Sequence, residues 1–127
     1  MKDLIIEKTD QSLEVFFSHK GTLLLKGIST PDHVNRFFEP LFEWVREFSK
    51  TNPKQVTLEM MIDYLNTSST RVLIELITLI NELQKKGTKV KFIWKYESDD
   101  EDMKELGEDL ELVSGAKFEF EGVEIEY

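Results

Sequence analysis

Three short apolar runs open the chain, at residues 3–8, 12–18 and 22–27, separated by Thr9-Asp10-Gln11 and His19-Lys20-Gly21. Runs of this length joined by polar breaks predict an antiparallel meander. The period then changes. Val34, Phe37, Phe38, Leu41, Trp44, Val45 and Phe48 recur at helical spacing. Thr30-Pro31-Asp32 precedes them and reads as a helix start, with Thr30 as cap, Pro31 at the first helical position and Asp32 complementing the dipole. Pro40 cannot donate its amide, so the pattern predicts either a kink or a second helix beginning there.

After the break at Thr51-Asn52-Pro53, Val56–Ile62 reads as a buried strand. A second helix follows, with Val72, Leu73, Leu76, Ile77, Ile80 and Leu83 on one stripe. Lys85 and Lys86 fall in its last turn, and Gly87 is placed as a left-handed cap. Val90–Tyr96 is the next strand, and strand, helix and strand of these lengths form a parallel crossover. Residues 99–111 predict a third helix with Met103, Leu106 and Leu110 inward. Phe118 and Phe120 alternate with acids, as do Val123, Ile125 and Tyr127. The phase slips at Glu121-Gly122, which predicts a bulge or a tight turn. The sum is one α/β domain over residues 1–127: a mixed sheet of about five to seven strands with helices packed mainly on one face.

Composition narrows the functional classes. The 127 residues are 40% hydrophobic, too apolar for a disordered acidic chain, and contain no cysteine. That removes disulfides, thiolate metal sites and cysteine nucleophiles. The N-terminal apolar run is too short for a signal peptide or a membrane span, so no membrane association is expected. The net charge of −9 disfavours nucleic acid. That charge is uneven. Residues 97–127 hold thirteen acids and two bases, a local −11, whereas residues 1–96 hold twelve acids and fourteen bases, or +2.

Little in the sequence suggests catalysis or metal binding. His19 falls in a predicted turn and His33 at a helix start, and neither has triad spacing. Two histidines fourteen residues apart form no ligand pattern, and Asp99-Asp100-Glu101-Asp102 lacks the glycine turn of a calcium loop. No metal and no cofactor are expected. Lys85, Lys86, Lys89, Lys91 and Lys95 read as a helix end plus the solvent side of a strand, with a docking patch for an acidic partner as the alternative. The segment that stands out is Tyr64-Leu65-Asn66-Thr67-Ser68-Ser69, between the buried strand and the second helix. Hydroxyls there cap helices. A phosphate there would also meet free backbone amides and a favourable dipole, adding about two negative charges. Both readings stand on the residues alone. Tyr64, Trp94 and Tyr96 are either core residues or anchors lining the surface beside Thr67.

The same segment resembles the hallmark string of the SiaC-type regulatory phosphoproteins, bacterial STAS-like relatives of the anti-sigma-factor antagonists. Gly27-x-Ser29-x-Pro31-Asp32, Pro40…Trp44 and Trp94-x-Tyr96 agree with it, so the resemblance covers residues 27–96. It implies a STAS-like fold and a cytoplasmic partner-switching protein rather than an enzyme. A kinase of the histidine-kinase-like ATPase type would phosphorylate Thr67, with Ser68 as the rival acceptor, and a PP2C-type phosphatase would reverse it. The unmodified form would bind an output partner through Asp63, Tyr64, Leu65, Asn66, Ser68, Ser69, Trp94 and Tyr96. In the SiaC branch that partner is a diguanylate cyclase, linking the protein to cyclic-di-GMP signalling. In the anti-sigma branch it is the kinase itself. Antagonists of that second branch carry Asp-Ser-Ser-Gly at this junction, whereas Asn66-Thr67 and Ser69 stand here.

Overall fold

A computed structural model of the chain describes residues 1–124. The meander is present as β1 (Leu4–Ile6), β2 (Glu14–Phe17) and β3 (Thr22–Ser29), paired antiparallel in sequence order. The chain continues through α1 (Val34–Lys50), β4 (Gln55–Leu65), α2 (Thr67–Asn81), a 3₁₀ turn (Glu82–Lys86), β5 (Lys89–Glu97), α3 (Glu101–Ser114) and β6 (Phe118–Val123). β3, β4, β5 and β6 are mutually parallel, and the strand order is simply β1-β2-β3-β4-β5-β6. That order explains the one-sided architecture. Right-handed crossovers that all advance in the same direction lay their helices on the same face of the sheet. The other face carries Ile5 and Phe16, both exposed, with Leu24 half-buried beside them.

Alternate strand residues meet the helices. Leu23 and Leu25, Val56, Leu58 and Met60, and Phe92 and Trp94 are all buried. From α1, Trp44 stacks on Phe48 with centroids 4.9 Å apart and meets the edge of Phe17 at 5.4 Å. From α3, Gly107 lies under Trp94, where a Cβ would come 2.5 Å from the indole. The indole Nε1 in turn donates to the Met103 carbonyl at 3.0 Å. A side chain at 107 would push α3 off the sheet.

The structure corrects several boundaries. α1 starts at Val34, not Pro31. Its N-cap is His33, whose side chain makes no cap bond. The Thr30 amide donates instead to the Gln11 carbonyl at 2.8 Å, which holds the chain extended past the expected start. Nor does Pro40 split the helix. α1 runs through it, because one missing backbone bond to Arg36 is outweighed by burial of Phe38, Leu41, Trp44, Val45 and Phe48. Gly87 is the left-handed cap expected, at φ 92°, but the turn before it tightens to 3₁₀. β6 passes straight through Glu121-Gly122 in register with Lys95 and Tyr96, with neither bulge nor turn. Phe118 and Phe120 set its phase, while half-buried Val123 closes the strand. Ile125 and Tyr127 lie outside the described residues.

Candidate functional site

The hydroxyl segment sits where β4 hands over to α2, and a β-bulge shapes that handover. Gly27 of β3 pairs with Ile62, but Ile28 pairs with Tyr64 and Ser29 with Leu65, so Asp63 is the extra residue. An extra residue reverses the facing of everything after it. Tyr64, which strict alternation would bury under the helices, turns to the open face and is 55% exposed. Leu65 turns inward and is buried. β4 pairs with β5 only as far as Met60 and Trp94. Residues 61–65 therefore keep β3 alone as a neighbour, and the sheet opens between β4 and β5 at this end.

Asn66 is the N-cap of α2. Its Oδ1 accepts from the Ser69 amide at 2.8 Å, and its carbonyl accepts from the Thr70 amide and hydroxyl, both at 3.0 Å. The side chain that caps α2 is thus the amide before the hydroxyls, not one of the hydroxyls. These hydroxyls then occupy the first turn and part company. Ser69 is fully buried and shares a 2.8 Å hydrogen bond with Ser29, also fully buried. Ser68 is half-buried and makes a long 3.5 Å contact to Asn66 Oδ1. Thr67 is exposed, and among the described residues its hydroxyl has no hydrogen-bond partner. The backbone amides of Thr67 and Ser68 are likewise free of protein acceptors, as the first turn of a helix requires.

The expected grouping of aromatics does not form. Tyr64 and Trp94 lie on opposite faces of the sheet. Trp94 is fully buried, stacked on Phe118 at 6.2 Å, and lines no surface. Tyr96 is half-buried and packs against the core from the helix side. Leu65 and Ser69 are buried as well, so neither can touch a partner directly. Of the residues singled out from the sequence, Asp63, Tyr64 and Thr67 are exposed and Asn66, Ser68 and Tyr96 half-buried, with Tyr64 on the open face of the sheet and Thr67 at the start of α2. Ser29 was not among them, although it stands in the Gly27-x-Ser29 string. Its signal was a lone polar residue in phase with Leu23 and Leu25 at buried strand positions.

The next crossover brings α3 to the same rim. Asp100 caps it, accepting from the Met103 amide at 3.1 Å, and Asp99, Glu101 and Asp102 crowd its start. Among the described residues no group of three His, Asp or Glu could hold a metal ion. Nor is any helix long and apolar enough to cross a membrane. The lysines expected on a helix end and strand face are mostly engaged. Lys85 pairs with Glu82, Lys91 with Glu119 and Lys95 with Glu59, and Lys86 donates to Ser49.

Residues 6–123 match the family described as SiaC family regulatory phosphoprotein. The chain belongs to the SiaC family. Its fold agrees with apo-SiaC from Pseudomonas aeruginosa at a TM-score of 0.87 and 26% identity, covering 96% of this chain and 100% of the other. Against the structure of diguanylate cyclase SiaD in complex with its activator SiaC, from the same organism, the TM-score is 0.89 and the identity 25%. That match covers 95% of this chain and 100% of the other. An uncharacterized protein of Pseudomonas aeruginosa (strain UCBPP-PA14) is 29% identical over 90 residues, 71% of each chain. The expectation of a mixed α/β fold and the SiaC resemblance are thereby borne out, and the chain is a member of a regulatory family.

Proposed function

We propose that this SiaC-family protein is a non-catalytic switch whose docking to a diguanylate cyclase is set by phosphorylation of Thr67. One observation carries the choice of residue. Four hydroxyls occupy the first turn of α2, and only that of Thr67 is both exposed and without a hydrogen-bond partner. A kinase can reach it without unfolding the cap, whereas Ser69 would have to leave the core and surrender its bond to Ser29.

The chemistry of the switch follows from the position. An unmodified Thr67 presents a neutral methyl and hydroxyl at the end of the sheet where Tyr64, an amphipathic anchor of the kind interfaces favour, is exposed on the open face. A phosphate adds about two charges. The rim already carries Asp63 and the acids at the start of α3, so a phosphate there adds charge and bulk at a surface that a partner fitted to the unmodified form would have to cover. The family match and the likeness to a SiaC found with a cyclase support that output. The reading requires an ATPase-type kinase and a PP2C-type phosphatase acting in the cytoplasm.

The test is direct. Thr67→Ala binds a diguanylate cyclase irrespective of kinase, Thr67→Asp binds about 100-fold more weakly, and mass spectrometry after kinase treatment places the phosphate on Thr67. Equal affinity of the two variants, or phosphate on Ser68 with none on Thr67, overturns it.

A further inference from the structure

The opposite end of the sheet has a different character. The N-terminal ends of β3, β4 and β5 carry the 18–21 turn, the 51–55 loop and the start of β5. Between them lies a pocket of about 620 Å³, within the size range of small-molecule sites. Exposed Lys20, Lys54, Lys89 and His19 line it, and half-buried Pro53 supplies apolar surface above the buried Phe48 ring. No carboxylate lines it, in a chain of net charge −9. None of the three lysines forms an ion pair with a described residue, unlike Lys50, Lys85, Lys91 and Lys95. Asp3 grips His19 through its backbone amide at 2.9 Å and Nδ1 at 2.6 Å without lining the pocket.

The walls are fixed before any ligand arrives. The Thr57 amide donates to the Gly21 carbonyl at 2.8 Å, the Lys89 amide to the Lys54 carbonyl at 2.9 Å, and the Thr88 hydroxyl to the Pro53 carbonyl at 2.8 Å. Each bond ties one lysine-bearing segment to another. The C-terminus of α1 abuts the pocket and its dipole disfavours anions. That effect amounts to roughly half a charge, against three ammonium groups. The Phe48 carbonyl is also occupied by the Thr51 amide and hydroxyl, and the Ser49 carbonyl by Asn52 and Lys86.

We infer that this pocket, formed by Lys20, Lys54, Lys89 and His19 at the end of the sheet opposite Thr67, binds a small phosphorylated organic molecule of nucleotide size. The lysines and histidine take the phosphates, and Pro53 offers apolar contact to the organic part. The inference is independent of the switch at Thr67.

GTP, inorganic pyrophosphate and guanosine are the probes, titrated separately into the full chain and followed by amide NMR shifts. GTP is expected to shift Gly21, Lys54, Gln55 and Lys89. Pyrophosphate is expected to compete with it, and guanosine to bind far more weakly. Lys54→Ala and Lys89→Ala each weaken GTP about tenfold, as loss of a charged hydrogen bond does, while Lys104→Ala changes nothing. Both are surface positions, and circular dichroism verifies that the variants fold. Absence of shifts at the pocket overturns the site. So does GTP affinity that Lys54→Ala and Lys89→Ala leave unchanged, or guanosine binding as well as GTP.

Discussion

The two ends of the parallel strands are built differently. At the C-terminal end, β4 and β5 part after Met60 and Trp94, Asp63 bulges, and Thr67 stands with free amides and a free hydroxyl. At the N-terminal end, about 33 Å away along β4 by the usual strand rise, backbone bonds stitch the 18–21 turn, the 51–55 loop and β5 together. One end keeps polar groups unpaired and able to accept a new charge. The other spends its backbone groups on rigidity and leaves Lys20, Lys54 and Lys89 without ion pairs to the described residues. A switch needs the first arrangement, because a modification can act only where groups are not already committed to the fold.

The sharpest way to break the contrast is to charge one end and strain the other. Thr67→Asp is expected to weaken cyclase binding about 100-fold while thermal unfolding stays within about 0.5 kcal/mol of the parent, since an exposed side chain without partners carries little stability. Gly21→Ala tests the stitched end. Gly21 has φ +102°, and a Cβ there would lie 2.5 Å from the Gln55 carbonyl oxygen, a backbone atom that cannot step aside. A loss of about 3 kcal/mol in denaturant unfolding is expected, with cyclase binding retained by the folded fraction. Stability unchanged by this substitution would mean the end is not rigid.

Smaller effects separate the hydroxyls at the start of α2. Ser69→Ala leaves the Ser29 hydroxyl buried without its partner and is expected to cost about 2 kcal/mol. Asn66→Ala removes the α2 cap and costs about 1 kcal/mol. If Ser69→Ala proved neutral and Thr67→Ala destabilising, the division between a structural and a signalling hydroxyl would be reversed. The smallest effect is electrostatic. Hydrogen bonds from the His19 amide and ring, with the nearby His19 and Lys20 charges, hold the Asp3 carboxyl below its ordinary value. A depressed carboxylate pKa stabilises the fold above the unfolded value and loses that contribution as pH falls through the folded one. An NMR titration of Asp3 is expected to show a midpoint below the ordinary carboxylate range, moving up in His19→Ala.

Much of this was legible in the chain. The apolar periods located all six described strands and three helices, because burying one face of each element leaves a period of two or of 3.6 in the sequence. Boundaries failed where a distant partner intervened: Gln11 holding Thr30 extended, or the apolar face of α1 overriding Pro40. The hydroxyl segment was visible as a string, and its resemblance to the SiaC family named the right relatives.

The order of elements was therefore settled by local pattern, and the segment proposed as the switch was marked by its hydroxyls together with its family resemblance. Which hydroxyl is available was not. Thr67, Ser68 and Ser69 are consecutive and chemically alike; Ser69 falls in phase with Val72, Leu73 and Leu76, and its bond to Ser29, forty residues away in sequence, holds it inside while Thr67 stays out. The bulge at Asp63 is of the same kind, since facing is fixed by the register with β3. So is the pocket of Lys20, Lys54 and Lys89, three residues that no local pattern joins and that meet because parallel strands begin at the same edge of the sheet.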